Sequence, residues 1–219
     1  MTLQPYNFTT NLKLARLHYL TQDLESCTHA ELAENACKGG VNWVQLRTKN
    51  KSYEEWKRIA QEVKSVTDKY DAKLIINDNA ALAKEINANG VHLGKKDMHP
   101  QEARALLGKD FIIGCTANSA TDVEELLNYD IDYIGLGPFR YTATKDNLSP
   151  VITPLQLQYL LSMEISKPII VIGGIQIDDV ESILDLGAHG VAVSSAINLA
   201  HNIEESAAAF VKEIEKLKN

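Results

Sequence analysis

Residues 169–195 read IIVIGGIQIDDVESILDLGAHGVAVSS and contain two apolar, β-branched runs, each followed at once by small or polar residues. Ile169–Ile172 leads into Gly173-Gly174, and Val191–Val193 leads into Ser194-Ser195. Earlier apolar runs end in the same manner, and the polar stretches that follow them are residues 45–49, 77–78, 94–97, 114–116 and 137–145. If these runs are parallel strands that alternate with helices, their polar ends meet on one face, where such folds place their sites.

Helix start signals between the runs indicate the same alternation. Ser52 with Glu55 and Asn202 with Glu205 have the spacing of helix caps, and residues 153–156 (TPLQ) combine a cap, an N1 proline and a returning glutamine. The apolar side of the helix that starts there is expected to consist of Leu155, Leu157, Leu160 and Leu161. With a first strand at 17–20, the chain has about eight strands and eight helices.

We therefore predict an α/β fold, a single-domain (β/α)8 TIM barrel over residues 1–219, with residues 1–15 as a short N-terminal extension. An open doubly wound sheet is the alternative, because periodicity alone cannot close a barrel.

Composition narrows the class of protein. The 219 residues are 45% hydrophobic and 23% charged, which suits one globular domain. Three cysteines without CxxC spacing argue against a disulfide framework, and we expect a cytoplasmic protein. A net charge of -7 disfavours nucleic-acid binding, and the lack of a long apolar run disfavours a membrane span. A homo-oligomer is compatible with these numbers.

Gly173-Gly174 and Ser194-Ser195 follow the seventh and eighth strands, the usual position of a phosphate site in a barrel. Glycine lets the backbone approach phosphate oxygens, and N–H groups at a helix start point toward negative charge. A tight turn or close packing would also explain the glycines. The pairing with two serines favours the phosphate interpretation.

Asp78 and Asp97 follow neighbouring strands, and carboxylate oxygens are ligands that Mg²⁺ prefers. Two aspartates brought together repel unless a proton or a cation intervenes. The alternative is that they cap the helices expected near Ala80 and Pro100. Because cationic residues follow the other strands, the pair is interpreted as a magnesium–diphosphate site.

Six short motifs carry a specific resemblance. They are Gln45–Lys49, Asn77-Asp78, Gly90–Gly94 with Asp97, Gly135–Pro138, Thr142–Lys145 and Ile172–Ile175. In this order and spacing they resemble the thiamine-phosphate synthase family over nearly the whole chain from Leu17 onward. The resemblance implies a transferase that joins an aminopyrimidine methyl diphosphate to a thiazole phosphate, with Mg²⁺ as cofactor and small molecules as its only required partners.

The resemblance also implies a role for each matched residue. The pyrimidine diphosphate would be held by Gln45, Arg47, Lys49, Asn77, Thr116 and Lys145, of which Arg47, Lys49 and Lys145 would be catalytic. The thiazole phosphate would be held by Thr142, Thr144, Gly174, Ser194 and Ser195. Asp78 and Asp97 would bind the metal. The chain departs from the family pattern at Thr48, in what we interpret as a supporting place, at Thr116 and at Tyr141.

Two other functions remain open at this point. A thiazole tautomerase of the same fold would share the thiazole phosphate pocket, but such relatives usually lack the Thr-x-Thr-Lys motif and the full metal pair. A noncatalytic barrel that binds a phosphorylated ligand is the third hypothesis. His92, which alternates within an apolar strand, is expected to be a packed barrel residue rather than a ligand.

Overall fold

The computed structural model describes residues 14–141, 150–163 and 165–217. Its strands are β1 Leu17–Leu20, β2 Trp43–Leu46, β3 Lys73–Asn77, β4 Gly90–Leu93, β5 Ile112–Ala117, β6 Tyr133–Leu136, β7 Ile169–Ile172 and β8 Gly190–Val193. Its helices are α1 His29–Lys38, α2 Tyr53–Lys69, α3 Ala80–Glu85, α4 Pro100–Leu107, α5 Ala120–Leu126, α6 Pro154–Ser162, α7 Val180–Asp185, α8 Ser195–Asn198 and α9 Ile203–Lys216. A short 3₁₀ turn, Ile177–Asp179, precedes α7.

The strands form a closed parallel barrel in chain order. Each strand pairs in parallel with the next, and β8 pairs with β1, so that Tyr19 lies opposite both Val44 and Val193. This closure confirms the predicted (β/α)8 barrel and excludes the open sheet. Most of the predicted extension, residues 1–13, lies outside the described residues.

The helix starts follow the sequence signals. Thr153 and Gln156 form a complete capping box with Pro154 in the first turn, and Ser52 and Asn202 accept bonds from the N–H groups of Glu55 and Glu205. The prediction for Leu155 was wrong. It is 78% exposed, whereas Leu157 and Leu160 are buried. Residues two apart differ by about 200° around a helix, so Leu155 and Leu157 cannot share one face.

The apolar side chains pack in two layers. The larger layer lies between the strands and the helices, and a smaller one fills the barrel interior. Its members are Leu20, Trp43, Ile75, Ile112, Tyr133, Ile170 and Ala192. His18 stacks on Trp43 with ring centroids 4.1 Å apart. The interior is therefore a packed core, and open space is left only toward the strand ends.

Gly114 gives the large Tyr133 side chain its place inside this layer. A Cβ atom on Gly114 would lie 2.0 Å from the Tyr133 ring, and a Cβ on Gly135 would lie 2.8 Å from the His92 ring. Two small residues on β5 and β6 thus admit two large polar rings.

Across the described residues, no helix is long and apolar enough to span a membrane.

Candidate active site

A cavity opens at the C-terminal ends of the strands, and most of the predicted site residues line it. These are Gln45, Arg47, Asn77, Asp78, Thr116, Gly174, Ser194 and Ser195. They come from five different strand ends, those of β2, β3, β5, β7 and β8, so the closed sheet is what brings them together.

The other predicted residues are placed differently. Asp97 lines a neighbouring cavity, which shares Gly94 and Thr116 with the first. Lys49 lies two residues beyond Arg47 in the loop after β2 and is partly buried. Thr142, Thr144 and Lys145 lie outside the described residues.

The loop that carries Arg47 and Lys49 is held from the β1 side of the barrel. The backbone N–H of Arg47 donates to Thr21 Oγ1 at 3.2 Å. Thr48 Oγ1 donates to Asp23 Oδ1 at 2.8 Å, and the Lys49 N–H donates to Asp23 Oδ2 at 2.9 Å. Thr48 therefore occupies a supporting place and anchors the loop through Asp23.

The Asp23 carboxylate is ionised more readily than usual. Burial alone would raise its pKa, but the hydrogen bonds from Thr48, His29 and the Lys49 N–H together lower the pKa below its ordinary value. His29 Nδ1 in turn lies 2.8 Å from Thr21 Oγ1. Thr21, Asp23 and His29 thus form a connected hydrogen-bond network that holds the backbone of this loop in place without a ligand.

Asp78 is exposed at the end of β3 and has a left-handed backbone, with φ of 66°. Its backbone N–H donates to His92 O at 2.7 Å. It does not cap α3, because Asn79 Oδ1 accepts from the Leu82 N–H at 2.9 Å. The capping alternative is therefore wrong for Asp78.

Asp97 does not cap the next helix either. His99 accepts from the Gln101 N–H at the start of α4. Asp97 Oδ2 instead accepts from the Gly94 N–H at 2.6 Å and closes the turn after β4. Since an ionised carboxylate offers about four acceptor positions, this bond leaves capacity for another partner.

The donor set fits a hard divalent cation that depends on its ligand for part of its coordination. Among the described residues there is no group of three or more His, Cys, Asp or Glu side chains arranged to hold a metal. Mg²⁺ is commonly bound through one or two carboxylates plus waters and substrate phosphates. Asp78 and Asp97 follow neighbouring strands, and two carboxylates suit that mode and not a complete protein cage.

Gly173 and Gly174 have positive φ values of 113° and 64°. A Cβ atom on Gly174 would lie 2.9 Å from Arg140 Cβ, so close packing also requires glycine here. The tight-turn explanation left open by the sequence is thus correct for the backbone. It does not exclude a phosphate role, because Gly174, Ser194 and Ser195 line one cavity.

The sequence interpretation missed the polar side chains at the bottom of the cavity, His18, His92 and Asn118. His92 was expected to be only a packed barrel residue, but its Nδ1 lies 3.0 Å from Tyr133 Oη and its Nε2 lies 3.0 Å from Thr116 Oγ1. Burial is the main cause that lowers the pKa of His18 well below its usual value, with the charges of His92 and His189 acting in the same direction. The position of His92 two residues before Gly94, at a polar strand end, was the available signal.

The fold and cavity define a class of protein, a (β/α)8 barrel whose C-terminal face holds a cavity lined by cationic, carboxylate, amide, hydroxyl and glycine residues. The family model described as thiamine monophosphate synthase matches residues 18–197. A thiamine-phosphate synthase of Phocaeicola vulgatus is 42% identical over 190 residues, which are 84% of this chain and 91% of that protein. A thiamine-phosphate synthase of Flavobacterium johnsoniae is 40% identical over 186 residues, which are 83% of this chain and 88% of that protein.

A solved structure of a thiamine phosphate pyrophosphorylase has the same fold. Thiamine phosphate pyrophosphorylase of Pyrococcus furiosus superposes with a TM-score of 0.82 at 28% identity, covering 93% of this chain and 97% of that one. The chain belongs to the thiamine-phosphate synthase family, and it is a transferase of that type.

Proposed function

We propose that the cavity binds an aminopyrimidine methyl diphosphate and a thiazole phosphate side by side and couples them to thiamine phosphate, with release of pyrophosphate. The observation that carries the proposal is that residues matched to both substrates line one cavity. Holding two reactants in line converts a bimolecular step into an effectively intramolecular one.

On this proposal Arg47 and Lys49 face the diphosphate, together with Lys145. Support comes from the anchoring of their loop by Asp23, since a preorganised cation stabilises developing charge without first having to reorganise. Gln45 and Asn77, both buried at strand ends, bind the pyrimidine ring and its substituents, and Thr116 donates to the diphosphate. The assignments of Lys145, Thr142 and Thr144 rest on the family resemblance alone.

Use of Mg²⁺ is general to the family, and we assign the ion to Asp78 and Asp97. When bound, Mg²⁺ would neutralise part of the negative charge that grows on the departing diphosphate. The protein's own part is to hold two carboxylates at adjacent strand ends.

The bond changes need no general base. The methylene C–O bond breaks and its electron pair leaves with pyrophosphate, while the electron-rich aminopyrimidine carries the positive charge. The thiazole nitrogen then gives its lone pair to the methylene carbon, and no proton is transferred.

The thiazole phosphate is assigned to Gly174, Ser194 and Ser195, with Thr142 and Thr144. Hydroxyl and backbone N–H donors bind a phosphate without a fixed charge. A cytoplasmic location, a single domain over 1–219 and the oligomeric state stay predictions.

The deciding experiment is incubation with both substrates, with and without Mg²⁺, followed by detection of thiamine phosphate and pyrophosphate. We expect both products, and their loss in excess chelator. Isomerisation of a thiazole carboxylate phosphate without pyrophosphate release would support the tautomerase instead. Binding of both compounds without turnover would support the noncatalytic barrel.

A further inference from the structure

Asn198, at the end of α8, is a buried polar residue that does not line the cavity. It is 4% exposed, and it lies one helical turn after Ser194. Its side-chain amide Nδ2 donates to Leu20 O at 2.8 Å and to Ser194 Oγ at 3.1 Å. Its Oδ1 accepts from the hydroxyl of Tyr19, which has no solvent exposure.

The chemistry of these partners fixes which way round the amide lies. Leu20 O is a carbonyl and can only accept, so the amide nitrogen must face it. The amide oxygen then faces Tyr19, whose hydroxyl can donate. An Asn side chain whose two ends are both satisfied in a buried place has one orientation.

This orientation determines the direction of the Ser194 hydroxyl hydrogen. Because Ser194 Oγ accepts from Asn198, its own hydrogen must point to a different partner. Gln22 Oε1 stands in that position at 3.3 Å. Ser194 lines the cavity, so a phosphate bound there can compete with Gln22 for this hydrogen.

We propose that Asn198, locked by Tyr19, is a positioning residue that presents Ser194 as a hydrogen-bond donor to the phosphate of the thiazole substrate. The inference rests on the proposed function, since it needs Ser194 to contact that phosphate. In the complex the Ser194 hydroxyl donates its hydrogen bond to a phosphate oxygen in place of Gln22 Oε1. Asn198 itself touches no substrate.

The sharpest variant is Asn198→Asp, which keeps the shape and replaces the donor by an acceptor. The carboxylate takes the Ser194 hydrogen for itself, so Ser194 then presents lone pairs to a phosphate. We expect the KM for the thiazole phosphate to rise about tenfold or more, the scale of losing one hydrogen bond to a charged group. The KM for the pyrimidine diphosphate should change less than twofold.

Tyr19→Phe tests the lock with a smaller change, because it removes only the hydroxyl that Asn198 accepts from. It should raise the same KM by a few-fold and leave the other unchanged. Tyr70→Phe is the matched control. Tyr70 Oη donates to Glu34 Oε1 at 3.2 Å. Tyr70 directly follows α2 and Glu34 lies in α1, and neither lines the cavity, so this variant should keep both KM values.

A double-mutant cycle separates positioning from a general effect on the fold. In a Ser194→Ala background, Tyr19→Phe and Asn198→Asp should have no further effect on the thiazole phosphate KM. Equal effects with and without the Ser194 hydroxyl would overturn the proposal, as would a parallel rise in both KM values. If Asn198→Asp does not fold, the Tyr19→Phe cycle alone decides. Absence of any coupling reaction in the wild type would instead reject the proposed function.

Discussion

At the scale of single residues, the two aspartates on either side of β3, Asp71 and Asp78, provide a test position and a matched control. Asp71 precedes β3 and Asp78 follows it, and both are exposed with left-handed backbones, at φ of 52° and 66°. Asparagine tolerates this conformation well, so Asp→Asn removes the charge at either position without adding backbone strain. Only Asp78 lines the candidate active site; Asp71 lines a cavity at the opposite end.

We expect Asp78→Asn and Asp97→Asn each to lower the coupling rate on the order of a hundredfold, the size of losing one electrostatic group at a reacting centre. The concentration of Mg²⁺ that gives half-maximal rate should rise in both. Asp71→Asn should match the wild type in rate and in metal requirement. Rate and Mg²⁺ titration of the three variants, with melting temperatures as the check on folding, test the metal assignment, and unchanged titrations for Asp78 and Asp97 would refute it.

Gly174 permits a similar comparison with Gly108, which has φ of 80° and open space around the position of a Cβ atom. Gly108→Ala should destabilise the protein by about 1–3 kcal/mol, because alanine is strained at positive φ. Gly174→Ala should cost at least as much, because its Cβ would also lie 2.9 Å from Arg140 Cβ. Only Gly174→Ala should also raise the KM for the thiazole phosphate. A similar rise in both variants, or a larger rise for the pyrimidine diphosphate, would show that Gly174 is misassigned.

At the scale of elements, the segment after β6 is tied to the turn after β7 by the paired bonds from Arg140 to Asp179. Asp179 also accepts from the Gln176 N–H at 2.8 Å. The Arg140 guanidinium is the main cause that lowers the pKa of Asp179, from an ordinary value of 3.8. Arg140 therefore joins the segment after β6 to the turn that follows Gly174.

The lowered pKa predicts how the stability of this unit depends on pH. A carboxylate whose pKa is depressed by folding stabilises the folded state above its unfolded pKa, and the gain is lost as pH falls through the folded value. The free energy of unfolding of the wild type should therefore exceed that of Asp179→Asn by about 1 kcal/mol at pH 7. The difference is modest because the Arg140 side chain is half-exposed. The difference should shrink below pH 3.8. Denaturant unfolding of both proteins from pH 3 to 7 measures it, and a constant difference would contradict the role given to Asp179.

At the scale of the whole molecule, the sequence was sufficient for the alternation of strands and helices, because each apolar run ends in polar residues, whereas closure of the sheet depends on the pairing of β8 with β1. It was also sufficient for the capping of α6, where Thr153 and Gln156 act within four residues. Local patterns of this kind need no tertiary information. The same pattern did not say which leucines of α6 face inward.

The candidate site was predictable only as far as it lies at strand ends. Which of two cavities Asp97 faces depends on the turn it closes with Gly94, and that turn has no sequence signature beyond glycine. The contacts of His92 with Tyr133 and Thr116, and of Asn198 with Tyr19, join residues far apart in the chain. Spacing along one sequence carries no signal for such pairs.

The fit of Tyr133 against Gly114 and of His92 against Gly135 constrains how this chain can change over generations. Any side chain on either glycine would overlap a ring, and the two rings are themselves joined, since Tyr133 Oη and His92 Nδ1 lie 3.0 Å apart. No one of the four positions can therefore be replaced freely while the other three stay. Across descendants of a common ancestor these positions should co-vary, with larger residues at 114 or 135 appearing only where 133 or 92 has become smaller.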